Sequence, residues 1–267
     1  MASARHLVRP PGSTTHHEEK ERTMGMSGLT ALVTGGTAGI GRAVAVQLAQ
    51  DGAEVIVHGR DAERGASVVA EIEAAGGRAR FLGADLADAD DIKRLAYEAG
   101  DVDVLINNAG IYKFLPTSDM TEDLFDLHMS LNTKAPYLLV KALAPGMVQR
   151  GRGSIVNIST LAAAVPTKGT GMYSASKAAL EQLTQIWAAE YAEQGVRVNT
   201  VSPGPTRTPG TDAMDAVTLK AVADTTAMRR IAEPEEVASA VTFLASSRAS
   251  YITGALLEVA GGRPAIG

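Results

Sequence analysis

From residue 29 onward the chain alternates two hydrophobic rhythms. Short runs rich in Val, Ile and Leu fall at 29–34, 54–58, 79–83, 103–107, 154–159, 196–201 and 255–259, and read as seven strands. Between them, apolar positions recur at helical spacing over 40–50, 61–75, 88–99, 121 to about 150, 172–194 and 233–246. Local signals agree with these limits. Asp88 is an acidic cap, Gly76-Gly77 closes one helix, and Pro234 stands in a first turn. Pro136 is expected to bend the long helix, or Pro145 to end it. The segment 203–210 reads as a loop. Strands without a polar face are buried on both sides of a parallel sheet, and their alternation with helices predicts a doubly wound α/β domain. The expected architecture is one Rossmann-type domain over 27–267, with a seven-stranded parallel sheet and helices on both faces.

Composition narrows this picture. Hydrophobic residues make up 45 % of the chain but aromatics only 4 %, so the core must be built from Ala, Val, Leu and Ile. A net charge of −5 argues against a nucleic-acid partner, which calls for a basic face. The absence of cysteine excludes disulfides and thiolate chemistry and fits a cytoplasmic location. No apolar run approaches a membrane span, so no membrane partner is expected. Residues 1–26 read as a disordered tail, with Pro10-Pro11-Gly12 and a charged run at 18–22. Arg5 and Arg9 without a nearby acid give its start a weak transit-peptide character. No metal is expected. His16-His17 lacks a third ligand, and His58 and His128 read as structural.

Ligands of such sheets bind beyond the carboxyl ends of the strands, and the unusual residues cluster there. Gly35, Gly39 and Gly41 form a turn between the first strand and the helix after it, where free amides and the helix dipole suit a pyrophosphate. Thr37 and Ile40 belong to the same turn, whose alternative reading is a tight connection with no ligand. At the end of the second strand, Gly59 stands where an acid would bind the ribose of NAD, and Arg60 follows it. That favours NADP(H), with NAD(H) as the alternative. Asp61, directly after Arg60, tempers this unless it caps the next helix. Asp85 and Leu86 follow the third strand and could meet an adenine. Asn108, Ala109 and Gly110 follow the fourth.

Tyr173 and Lys177 lie four residues apart on a predicted helix, just after Ser159-Thr160. The spacing puts a phenol beside an ammonium group on one face. A nearby positive charge lowers a phenol's pKa, and a tuned phenol can exchange a proton with an alcohol or carbonyl oxygen. Tyr137 and Lys141 share the spacing, but Tyr137 sits in an apolar stretch and reads as a half-buried helix residue.

Taken in order, the glycine turn, Asn107-Asn108-Ala109-Gly110, Asn132, Ser159-Thr160, Tyr173 to Lys177 and the segment 203–208 resemble the compact branch of the short-chain dehydrogenase/reductase family, across 27–262. The 3-oxoacyl carrier-protein reductases are one example of that branch. The resemblance implies that Tyr173 is the general acid or base. Lys177 would bind the nicotinamide ribose and hold the Tyr173 pKa low. Asn132 would hold the long helix open around a water. Pro203, Gly204, Thr206 and Thr208 would contact the carboxamide and a phosphate. The family's orienting hydroxyl is a serine, and here that position is Thr160, with Ser159 as the alternative. The family's acid before the last paired glycines is replaced by Ala260.

The implied reaction is hydride transfer between a nicotinamide and a ketone or secondary alcohol, or an acyl-thioester ketone. Substrate-facing loops are expected at 161–171, which includes Pro166, and at 207–230, with Met214, Val217, Leu219 and Met228 supplying an apolar pocket. A homotetramer or homodimer is implied as well. The alternatives are a cofactor-binding sensor without turnover and an epimerase that retains its NAD(P).

Overall fold

The structure is a computed structural model and describes residues 25–165 and 167–262. The expected transit-peptide or tail character of residues 1–24, the His16-His17 pair and Pro166 lie outside the described residues. Seven strands form one sheet: β1 (Thr30–Val33), β2 (Glu54–Gly59), β3 (Arg78–Gly83), β4 (Val104–Asn107), β5 (Gly153–Ile158), β6 (Val196–Pro203) and β7 (Leu256–Val259). Their order is β3-β2-β1-β4-β5-β6-β7, and every neighbouring pair is parallel. The winding direction reverses between β1 and β4, and that switch opens the ligand crevice.

Helices α1 (Gly39–Gln50), α2 (Ala62–Ala74), α3 (Ala89–Ala99), α4 (Glu122–Met129), α5 (Ala135–Gln149), α6 (Gly171–Tyr191), α7 (Pro209–Asp212), α8 (Ala216–Ala223) and α9 (Pro234–Ala245) complete the described fold. Successive strand residues point to opposite faces, so the sheet divides the core in two. Ala31, Val33, Val55, Val57 and Ile106 pack with α1, α2 and α9, while Leu32, Ile56, Leu105 and Ile155 pack with α3, α5 and α6. Met26 is fully buried in the first of these clusters. The fold thus begins before residue 27, inside the segment read as tail.

Three expectations change. The long helix over 121–150 is neither bent at Pro136 nor ended at Pro145. It is interrupted earlier by one π turn, Ser130–Lys134, and Pro145 lies inside α5. Pro136 has no N–H for the carbonyl of Asn132 four residues back, so the α-register cannot pass through this turn. The expected loop 203–210 ends in α7, and α8 follows inside the presumed substrate loop. The helix expected to reach residue 194 stops at Tyr191. The chain then turns tightly to Gly195 (φ +80), where any Cβ would lie 2.3 Å from the Gly151 carbonyl oxygen.

Candidate active site

The glycine turn after β1 is closed by its own backbone. Gly35 takes a φ of +63 and Gly39 of +51. A Cβ on Gly41 would sit 2.2 Å from the Gly35 carbonyl oxygen and 2.4 Å from Asn108 Nδ2. Asn108 Nδ2 donates to the carbonyls of Thr34 (2.9 Å) and Gly35 (3.2 Å), tying β4 to this turn. The Thr34 hydroxyl accepts from the amides of Asn108 and Ala109. At the start of α1 no side chain caps Ala38, and the first turn holds no acid. The residues present fit a nucleotide cofactor, because an uncapped helix start beside a glycine cradle suits a phosphate. Thr37 and Ile40 sit in the turn, and Ile40 reaches the central cavity.

His58 is a second clamp on this turn. Its Nδ1 accepts from Gly35 N (3.3 Å), and its Nε2 lies 3.2 Å from the Ala84 carbonyl oxygen. Nε2 therefore carries the proton of a neutral ring. Burial holds the His58 pKa below 6.5, outweighing the pull of the Ala84 carbonyl, Asp85 and Asp91. The unfolded chain then binds more protons as pH falls below about 6.5. Stability contributed by this histidine is full above that pH and is lost as pH falls toward the folded value. A His58→Asn variant is expected to show a flatter loss of Tm between pH 7 and pH 5 than the wild type; equal slopes would dismiss the clamp as a titrating element.

Gly59 packs against the Thr37 side chain, and a Cβ there would lie 2.6 Å from Thr37 Cγ2 and require that side chain to shift. Arg60 is exposed and forms no ion pair among the described residues. Asp61 caps α2 through Arg64 N (3.0 Å) and pairs with Arg64 Nε (2.7 Å), so its carboxylate is engaged within its own helix. Asp85 is exposed after β3. Leu86, by contrast, is buried in the second core cluster, which corrects its reading as an adenine contact.

At the other side of the crevice, Thr208 Cγ2 approaches within 3.3 Å of where a Gly39 Cβ would be. The segment after β6 thereby closes over the glycine turn. Pro203, Gly204, Thr206 and Thr208 all line a cavity of about 670 Å³, together with Asn108, Gly110, Thr160, Tyr173 and Lys177.

Three side chains meet at the floor of this cavity, Thr160, Tyr173 and Lys177, and a fourth, Asn132, lies buried behind it. Asn132, fully buried in the π turn, accepts from Ile111 N (2.9 Å) and donates to the Ile111 carbonyl (3.0 Å) and Ser176 Oγ (3.0 Å). Gly110 lies against it, and a Cβ there would be 2.6 Å from Asn132 Oδ1 and 3.3 Å from Lys177 Nζ. Lys177, buried on α6, donates to the Ile158 carbonyl at 2.7 Å. Thr160 lines the cavity with the Tyr173 phenol and draws its pKa down as a hydrogen-bonding partner. Ser159 also lines the cavity, but its hydroxyl is engaged by Glu181 Oε1, to which it donates at 2.5 Å. Of the two candidate hydroxyls, the structure thus brings Thr160 to Tyr173.

The electrostatics differ from the sequence expectation at one point. Burial pushes the Tyr173 pKa above 10, the Thr160 bond draws it down, and Tyr112 pushes it up; Lys177 is not among the groups acting on it. Lys177 itself is lowered from 10.5 to about 8 by burial, against the opposing charge of Glu181. Glu181 was missed in the sequence, though it stands one turn beyond Lys177. Its own pKa is raised by burial and by Glu258, and lowered by the Ser159 bond and Lys177. Lys177 is thus an ammonium below about pH 8 and neutral above it. Any activity that needs the ammonium should decline above about pH 8, and Glu181→Gln should move that alkaline limb to lower pH. A pH profile of kcat/KM for both proteins checks this, and identical limbs would remove Glu181 from the site.

Two further residues carry no sequence signal beyond their position after Gly110. Tyr112 and Phe114 line the cavity beside Tyr173. In the second substrate segment, Met214, Val222 and Thr225 line it, whereas Val217 and Met228 face solvent and Leu219 is not part of the lining. From the first, Leu161, Ala162 and Val165 take part.

The chain was compared with known proteins. A family model described as "Enoyl-(Acyl carrier protein) reductase" matches residues 35–263. Dehydrogenase/reductase SDR family member 4 of Homo sapiens is 39 % identical over 241 residues, covering 88 % of this chain and 87 % of that protein. A solved structure named as a short chain dehydrogenase/reductase family protein is 53 % identical, with TM-score 0.82, covering 90 % of this chain and 98 % of that one. A 3-oxoacyl (acyl-carrier-protein) reductase from Agrobacterium tumefaciens C58, solved with NADP bound, is 32 % identical, with TM-score 0.88, covering 94 % and 100 %.

Proposed function

Because this chain belongs to the short-chain dehydrogenase/reductase family, we propose that it interconverts a ketone and a secondary alcohol with NADP(H), and that Tyr173 carries the proton. The observation that supports this most is the convergence of Thr160, Tyr173 and Lys177 on one cavity at the carboxyl ends of the strands, with Asn132 buried behind Gly110 of its lining. The nicotinamide supplies the hydride when it is bound. Tyr173 gives its phenolic proton to the carbonyl oxygen, or takes one from the alcohol. Thr160 holds the phenol and the substrate oxygen in one hydrogen-bonded set. Asn132 fixes the loop after β4 through both backbone groups of Ile111. Lys177 holds a positive charge beneath Gly110, where a ribose hydroxyl would bond it. NADPH oxidation followed on a panel of ketones tests the reading, and a protein that binds NADPH yet reduces none of them would favour the sensor alternative.

NADP(H) is preferred over NAD(H) in this reading because Gly59 supplies no acid for a ribose hydroxyl, and because Arg60 forms no ion pair among the described residues while Asp61 is held by Arg64. A guanidinium forks onto a phosphate. Arg60→Glu is expected to weaken NADPH binding by about ten- to a hundred-fold, the loss of a charge-assisted bond worth about 1.5–3 kcal/mol. NADH binding should be unchanged or improved. Fluorescence titration of both nucleotides decides it, and equal losses for the two would mean that Arg60 supports the fold rather than reads the phosphate.

We also expect a homo-oligomer formed through α5 and α6, which leave Tyr137 and Ile186 nearly half exposed. Light scattering on the purified protein is the check. Among the described residues no helix is long and apolar enough to cross a membrane.

A further inference from the structure

The wall beside Tyr173 is built of rings. Tyr112 and Phe114 have centroids 6.1 Å apart, and they lie 6.4 and 5.7 Å from the Tyr173 ring. Both are about half exposed, at 50 % and 54 %, and both line the cavity. One exposed aromatic needs no explanation. Two at one cavity, continuous with the proposed proton donor, form an apolar surface placed for a ligand.

The backbone that carries them is pinned at alternate residues. Ile111 N donates to Asn132 Oδ1 (2.9 Å), Lys113 N to His128 Nε2 (3.3 Å), and Leu115 N to the Gly169 carbonyl (2.8 Å). His128 is fully buried, and its Nδ1 is held by the Leu124 carbonyl at 2.7 Å. The two rings between these anchors are therefore presented by a braced segment. Tyr112 is fitted against α7 as well, where a Cβ on Gly210 would fall 1.9 Å from its hydroxyl oxygen. Only glycine lets the ring rest there.

Charge points the same way. Among the described residues Lys177 is the one charged side chain that lines the cavity, and its ammonium is already bonded to the Ile158 carbonyl. On the side away from the glycine turn, no described arginine and no second described lysine lines the cavity to receive a substrate's carboxylate or phosphate. An anionic substrate would lose its hydration without a partner. Leu161, Val165, Met214 and Val222 supply further apolar lining.

We propose that the substrate is an uncharged ring ketone, or the matching ring alcohol, whose ring packs against Tyr112 and Phe114 while its oxygen meets Tyr173. This rests on the oxidoreductase reading above. Aromatic rings favour offset or edge-on contact with one another, so a ring ketone that is aryl or benzo-fused gains an interaction that an open chain cannot make. In the reducing direction the carbonyl carbon gains the hydride, its oxygen gains the Tyr173 proton, the phenolate is reprotonated by water, and the reduced nicotinamide is oxidised.

The test compares α-tetralone with 2-decanone, which have equal carbon counts and differ in the ring. Wild-type kcat/KM should be about ten-fold higher for the tetralone. Phe114→Ala should lower that value about ten-fold, mainly through KM, and change 2-decanone less than about two-fold. Phe114→Leu, which keeps apolar bulk, should not restore it. Gly210→Ala, which pushes Tyr112 off its seat without altering the ring, should also lower the tetralone value alone. Equal wild-type values for the two ketones, or equal losses in the variants, would overturn the proposal. Thermal shift with α-tetralone separates the two readings. A Tm rise present in wild type and absent in Phe114→Ala, without turnover of either ketone, keeps the ring site and ends the reductase reading. No Tm rise and no preference for the tetralone ends the ring site.

Discussion

Tyr173→Phe is expected to lower kcat by about 10²–10⁴-fold while NADPH binding stays close to that of the wild type. The substitution removes one oxygen and keeps the ring, so the contacts with Tyr112 and Phe114 survive. The lost atom is the one bonded to Thr160 and facing the cavity. A phenol whose pKa burial has raised stays protonated at neutral pH, so it is present in the form that carbonyl reduction needs, while alcohol oxidation needs the scarcer phenolate. Rates measured in both directions therefore carry information. The variant should lose both, and the wild type should show oxidation rising with pH until the loss of the Lys177 ammonium above about pH 8 opposes it. Fluorescence titration with NADPH beside the turnover assay provides the check. A variant that keeps turnover would remove Tyr173 from the chemistry, and one that loses NADPH binding would make it a structural residue.

Gly41→Ala is expected to cost about 1–3 kcal/mol of stability and to raise the Kd for NADPH about ten-fold or more. Here the obstacle is backbone. The added methyl would overlap the Gly35 carbonyl and the Asn108 amide that ties Gly35 to β4. Neither can move without opening the turn that presents the α1 amides. Gly76→Ala is the control. Gly76 also has a positive φ, of +82, but nothing lies within 4 Å of its Cβ position. It should lose about 1–2 kcal/mol from backbone strain and bind NADPH normally. Urea melts and nucleotide titrations of the two variants distinguish these outcomes, and normal NADPH binding by Gly41→Ala would mean that the glycine turn does not form the phosphate site.

Much of this was legible along the chain because the signals are local. The strands at 54–58 and 196–201 announce themselves by their valines, Val55 and Val57 in the first and Val196, Val198 and Val201 in the second, and Asp88 caps α3 as its position before an apolar period suggests. The glycine turn and the Tyr173–Lys177 spacing were readable for the same reason, since each lies within one turn or one strand–helix connection. Leu86 was misread because a loop leucine after a strand looks alike whether it faces the crevice or the core, and only packing against α3 decides. The helix break was placed at the prolines. It falls at Asn132, whose side chain bonds Ile111 and Ser176, twenty-one and forty-four residues away.

By itself, then, the sequence determined the doubly wound sheet, the position of the glycine cradle and the pairing of a phenol with an amine on one helix. These follow from backbone propensity and from periodicities of two and 3.6 residues, which are properties of neighbouring positions. Only the tertiary structure decided that Thr160 rather than Ser159 meets Tyr173, that Glu181 stands behind Ser159, and that Tyr112 and Phe114 line the cavity. Ser159 and Thr160 are adjacent residues leaving one strand, and both line the cavity. Which hydroxyl is engaged elsewhere is set by how α6 packs over the sheet, since Glu181 of that helix takes the Ser159 hydroxyl through a contact twenty-two residues away.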